Sequence, residues 1–111
     1  MNLKNYALFE NKSYDFYNEF IQLNEIIEEY THLLPSGTRL NNLKINNKSI
    51  DVRFIKSNLT LNFIVVRNGL YLPDDETCNL EIGSYQTILK ENGDLIDEMF
   101  DLYYNDEGLI S

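Results

Sequence analysis

DLIDEMFDLYYNDE, residues 94–107, holds six acids and no base, and its reading decides the last third of the fold. On a helix, Leu95, Ile96, Met99, Leu102 and Tyr103 form one apolar stripe. Asp94, Asp97, Glu98 and Asp101 then fall at i, i+3, i+4 and i+7 on the opposite side. Asp94 can serve as the N-cap. The spacing therefore predicts a C-terminal helical segment with a carboxylate face. Like charges so spaced repel by about 0.2–0.5 kcal/mol per pair, so stability alone would place lysines among them. Four carboxylates over about 10 Å of helix axis stand roughly 2.6 Å apart along it. That lies between the phosphate spacings of a single strand (~3.4 Å) and a duplex (~1.7 Å). The face is either a solvated exterior, the usual fate of a charge run, or a surface that replaces phosphates against a cationic partner.

Upstream, SYQTILKEN (84–92) reads as a short helix capped by Ser84 and ended by Gly93. Its alternative is a strand entering an Asn92–Gly93 hairpin. Near the N-terminus, Ser13 is a candidate N-cap with Asp15 in the first turn. Phe16, Phe20, Leu23, Ile27, Tyr30 and Leu34 recur at helical spacing behind it, and PSG at 35–37 ends the run. With under three heptads and aromatic seam positions, this is a helix lying on a sheet in preference to a coiled-coil dimer. Between them, LKI (43–45), SIDVRFI (49–55), LTLNFIVVR (59–67) and LYL (70–72) alternate or run apolar as strands. Turns are expected at 46–48 and 56–58, and a two-residue hairpin at Asn68–Gly69. CNLEI (78–82) is a possible further strand. Ile64 and Val66 oppose Leu61 and Phe63, so one strand is apolar on both faces and its second face is covered or is an interface.

The expected fold is α+β. A long N-terminal helix packs on an antiparallel meander of about four strands, with a C-terminal helical segment, all in a single domain spanning 1–111.

Charge is segregated along the chain. Of the net −9, residues 1–34 carry two bases and six acids, residues 35–70 six bases and one acid, and residues 71–111 one base and eleven acids. Such a chain has a dipolar surface field that repels nucleic acid from its negative side. Fifteen asparagines against the single Ala7 and three arginines fit a low-GC bacterium or a phage infecting one. Cys78 alone allows no disulfide framework. No apolar segment reads as a signal peptide or membrane span, so a soluble protein of the bacterial host cytoplasm is expected.

Catalytic patterns are missing. The chain has no CxxC, HExxH, P-loop or GxGxxG, and neither DDETCN nor NDEG has calcium-loop spacing. His32, the only histidine, sits where a cation would complement a helix C-terminus. No enzyme activity, cofactor or metal is expected. Arg39, Lys44, Lys48, Arg53, Lys56 and Arg67 fall in the sheet region, but the overall charge argues against direct nucleic-acid binding.

In general terms the chain resembles the small acidic inhibitors of low-GC bacteria and their phages, a class that includes anti-CRISPR, anti-restriction and toxin-immunity proteins. The class implies a non-enzymatic DNA mimic that occupies the cationic groove of a nuclease, a CRISPR effector or a toxin. The expected partner-binding residues are Asp94, Asp97, Glu98, Asp101, Tyr104, Asp106 and Glu107, with Asp74, Asp75 and Glu76 in an acidic loop beside them. The alternative is a structural or accessory subunit, possible as a homodimer, that associates through its first helix or through an exposed apolar sheet face at Ile64 and Val66.

Overall fold

The structure, a computed structural model, describes residues 4–35, 37–55, 58–105 and 108–109. Two helices, α1 (Lys4–Phe20) and α2 (Asn24–Tyr30), precede four long strands: β1 (Lys44–Ile55), β2 (Asn58–Tyr71), β3 (Gly83–Lys90) and β4 (Leu95–Leu102). The strands pair in the order β1-β2-β3-β4, each antiparallel to the next. A two-residue ladder of β5 (Tyr104–Asn105) and β6 (Gly108–Leu109) follows. The fold is α+β, with the N-terminal helix on a four-stranded antiparallel meander, as expected.

The last third is not. Residues 84–90 and 95–102 are strands, so the expected C-terminal helix is replaced by the β3–β4 hairpin. Two periodicities compete in this segment, and the one that can reach a neighbour wins. From Asp97 onward, residues alternate between exposed and half-buried, and Phe100 stacks near Phe20 and Tyr30 with ring centroids 5.4 and 4.7 Å away. Met99 and Ile96, which a helix would bury, are instead 51% and 42% exposed. Ile96 is the extra residue where the register steps from Ile88↔Asp97 to Leu89↔Leu95. Gly93, at φ 92°, closes the hairpin, its N–H bonding Lys90 O at 2.9 Å. Here the left-handed backbone requires glycine.

Helix α1 begins nine residues before Ser13, at Lys4. Its buried stripe is Phe9, Ser13, Tyr17 and Ile21, one residue every fourth position, flanked by Phe16 and Phe20. Ser13 is thus not a cap but a wholly buried residue in mid-helix. The long helix expected to Leu34 breaks at residues 21–23, where i→i−3 bonds tighten the turn. Leu23 then starts α2 without a side-chain cap. Two seam residues, Leu23 and Ile27, are left 51% and 40% exposed.

Asn68–Gly69 is not a turn either; it lies inside β2, opposite Asn47 and Asn46. Asn68 is fully buried, its amide donating to Ser13 Oγ at 2.9 Å and Tyr85 O at 3.2 Å and accepting from Asn47 Nδ2 at 3.2 Å. Ser13 Oγ and Thr87 Oγ1 are 2.9 Å apart, which completes a polar bridge between α1 and the sheet. Gly69 lets side-chain ends from its neighbours close over the strand. A Cβ there would lie 2.6 Å from Glu81 Oε1 and 2.7 Å from the Tyr71 hydroxyl. The turn expected at 46–48 is a bulge, with Lys48 as the extra residue between Asn47↔Asn68 and Ser49↔Arg67. Residues 56 and 57 of the next expected turn lie outside the described residues, and Asn58 already belongs to β2. Residues 78–82 form no strand.

Both helices lie on one face of the sheet. Phe9 packs on Ile64, Val66 and Leu89, so the residues expected at an exposed sheet interface, Ile64 and Val66, are instead covered by α1; Tyr17, Ile21, Leu34, Leu40, Leu70 and Tyr85 form the adjoining core. The register sends Phe63, Val65, Ile88 and Met99 to the other face.

Candidate functional site

Strand β4 is an edge of the sheet, and it carries Asp97, Glu98 and Asp101, with Asp94 just before it. Successive side chains of a strand point to opposite faces, so the expected single carboxylate face cannot form. Asp97 and Asp101, registered with Ile88 and Ser84, stand on the open face on either side of Met99. A strand rises about 3.4 Å per residue, which separates these two by roughly 14 Å. Glu98, registered with Thr87, turns toward the helices. There Tyr85 donates its hydroxyl to Glu98 Oε1 at 3.3 Å. Burial raises the Glu98 carboxyl above the usual range, opposed by that hydrogen bond. Asp94 ends the hairpin turn, held by two hydrogen bonds to the Asn92 side chain of 3.0 and 3.1 Å. The phosphate-like spacing expected of a helix is therefore absent, and a line of acids along one edge takes its place.

These charges stand unneutralised: among the described residues, none of Asp94, Asp97, Glu98 and Asp101 forms an ion pair. The stem of Lys12 lies against Gly93 and brings one base near the hairpin turn. The bases of β1, Lys44, Lys48 and Arg53, lie on the opposite edge of the sheet. Two strands intervene, a separation of roughly 14 Å. Arg67 is tied to Glu81 at 2.8 Å, with a second contact of 3.4 Å. The sheet thus runs from a basic edge to an acidic one.

The second acidic group is less available. Asp74, Asp75 and Glu76 lie in the loop that joins β2 to β3. Asp75 accepts the N–H groups of Asn79 and Leu80 at 3.1 and 3.0 Å, and those bonds hold its carboxyl below the usual range. Lys44 Nζ donates to its carbonyl at 3.1 Å. Asp75 orders its own loop, whereas Asp74 and Glu76 are exposed. This loop lies at the end of the sheet where β4 finishes, so Asp101 is its nearest member of the edge group. Asp106, Glu107 and the Tyr104 side chain lie outside the described residues.

Sequence reasoning missed two features. One is the Arg67–Glu81 pair over Gly69, joined by the Tyr103 hydroxyl 3.4 Å from Glu81 Oε2. Fourteen residues of loop and strand separate its partners, and no local pattern announces it. The other is a cavity at the α1–α2 elbow, created by a helix break that carries no proline or glycine. Cys78 is free and half-buried, and His32 stands exposed in a 3₁₀ turn after α2. Among the described residues, no group of three or more His, Cys, Asp and Glu side chains is placed to hold a metal ion. Nor is any described helix long and apolar enough to cross a membrane. The chain matches no protein-family model, no curated protein and no solved structure.

Proposed function

We propose that the protein is a small acidic, non-enzymatic inhibitor that binds a cationic surface of a partner protein, of the phage anti-defence or toxin-immunity kind. The observation that carries this reading is the unneutralised acidic edge of β4. An edge strand offers a row of unpaired backbone N–H and C=O groups as well as its side chains. A basic extended segment of the partner can add to that edge. Its backbone would supply the hydrogen bonds, and alternate lysines or arginines would meet Asp97 and Asp101 on one face and Glu98 on the other. The same acids disfavour pairing of β4 with a second β4, because like charges directly opposite one another are destabilising. Association would be fast and salt-sensitive, as charge-steered encounters are.

Titration of the 15N-labelled protein with an alternating lysine–valine nonapeptide tests this. Amide shifts should concentrate on residues 96–102 and fade in high salt. The triple variant D97K/E98K/D101K should lose them while keeping its dispersed spectrum. Shifts that avoid β4, or that survive the reversal, would refute the proposal.

A second reading is favoured by the open sheet face, where Phe63, Val65 and Ile88 are half-buried and Met99 is 51% exposed. Here the protein is an accessory subunit that associates through that face. Met99→Lys would then abolish assembly, and the triple reversal would leave it nearly unchanged.

A further inference from the structure

We infer that the cavity at the α1–α2 elbow is a binding site for a small amphipathic carboxylate, an organic acid with an apolar body. The cavity, half-open to solvent, has a volume of about 490 Å3, within the range of roughly 300–1,000 Å3 common for small-molecule sites. Its floor is Ile21 and Leu40, both buried, and Ile27 forms a wall. The apolar pattern of the sequence marks Leu23 and Ile27 for the interior, yet the helix break leaves both largely in water. Apolar area of that kind is stabilised by whatever apolar body covers it, at about 25 cal/mol per Å2.

The head group is chosen by Arg39. Among the described residues it is the only charged one lining the cavity, and its guanidinium has no carboxylate partner there. In a chain of net charge −9, an unpaired arginine at an apolar hollow selects for an anion locally. A planar guanidinium grips a carboxylate with two parallel hydrogen bonds. Gln22, Thr31 and Asn41 line the same rim and add neutral donors. The walls are set before any ligand arrives. Tyr17 donates its hydroxyl to Leu40 O at 3.4 Å, and the turn at Leu40–Asn42 is closed by Asn42 N–H on Arg39 O at 3.0 Å. This site is independent of the β4 edge and stands or falls separately from the inhibitor reading.

Decanoate and its neutral counterpart 1-decanol are the probes, followed by amide shift titration of the full chain. Decanoate should move the signals of residues 21–31 and 39–41, and decanol should bind about tenfold more weakly for want of the charged head. Arg39→Gln should reduce decanoate affinity by a similar factor and leave decanol unchanged. Ile27→Glu, at an exposed position, should abolish binding of both. Equal affinity for acid and alcohol, no effect of Arg39→Gln, or shifts confined to the sheet would each overturn the inference. So would saturation by a partner polypeptide with no response to decanoate at millimolar concentration.

Discussion

Asn68 lies three residues from the end of β2 with its side chain wholly inside the protein, a position that strands normally give to valine or isoleucine. It is tolerated because Ser13, Tyr85 and Asn47 all bond its amide. Removing one partner of a buried hydrogen-bonded group leaves the others unmet, at about 1–3 kcal/mol. Asn68→Ala should therefore destabilise the fold by roughly 2–3 kcal/mol in urea unfolding, more than a mere loss of side-chain volume would give. Glu98 behaves in the opposite sense. Its carboxyl is raised, so the folded protein binds that proton more tightly than the unfolded chain does. The associated stability is fully present below the ordinary carboxylate pKa and is lost as pH rises through the raised value. Glu98→Gln, which keeps an acceptor for Tyr85, should be more stable than the parent at neutral pH. The difference should close toward about pH 3, below the ordinary carboxylate pKa, where the parent carboxyl is largely protonated in both states. Urea midpoints at the two pH values would show it, and an equal offset at both would contradict it.

At the scale of elements, β4 teaches how local pattern and partner divide the work. Leu95, Ile96, Met99 and Leu102 satisfy a helical period, but Phe100 and Leu102 satisfy an alternating one, and eight residues cannot separate the two. The decision comes from β3, whose Tyr85, Thr87 and Leu89 are all buried on the helix side and whose far edge needs a strand. That information lies across a hairpin, in partners from Leu89↔Leu95 to Gly83↔Leu102, and no single-element period reports it. The consequence is measurable. Phe100→Ala should cost about 2–3 kcal/mol by removing the ring between Phe20 and Tyr30, and Met99→Ala should cost less than about 0.5 kcal/mol. A helix would demand the reverse order. The α+β class, the N-terminal helix and the apolar runs of β1 and β2 were legible, whereas β3 reads as a helix because Tyr85, Ile88 and Leu89 also fit a helical period. The break at residues 21–23 and the buried stripe through Ser13 were not. A serine reads as a cap until its partners Thr87 and Asn68, 74 and 55 residues away, are known.

For the whole molecule, the segregation of charge in the sequence survives as geography. Lys44, Lys48 and Arg53 of the basic middle lie on the β1 edge, and Asp97, Glu98 and Asp101 of the acidic last third on the β4 edge, because a meander lays chain order out as sheet order. What the linear spacing could not supply was which side of each strand a charge would face. The expected patch is consequently split between two faces and joined only along the rim.

The two Asn–Gly pairs carry a chemical clock set differently at each. Asparagine before glycine loses its amide when the glycine nitrogen closes on the side-chain carbonyl, a step that needs a freely bending backbone. In β2 that backbone is held extended between two neighbours and the Asn68 amide is bonded, so the native protein should keep it; Asn92 stands in an exposed turn held only by local bonds, its side chain to Asp94 and the Gly93 N–H to Lys90, and should convert faster. Peptide mapping after prolonged incubation should find aspartate or isoaspartate at residue 92 and intact asparagine at residue 68, with both converted in urea. Each ageing event at Asn92 would add a further negative charge beside Asp94, so the acidic rim would sharpen as the molecule grows old.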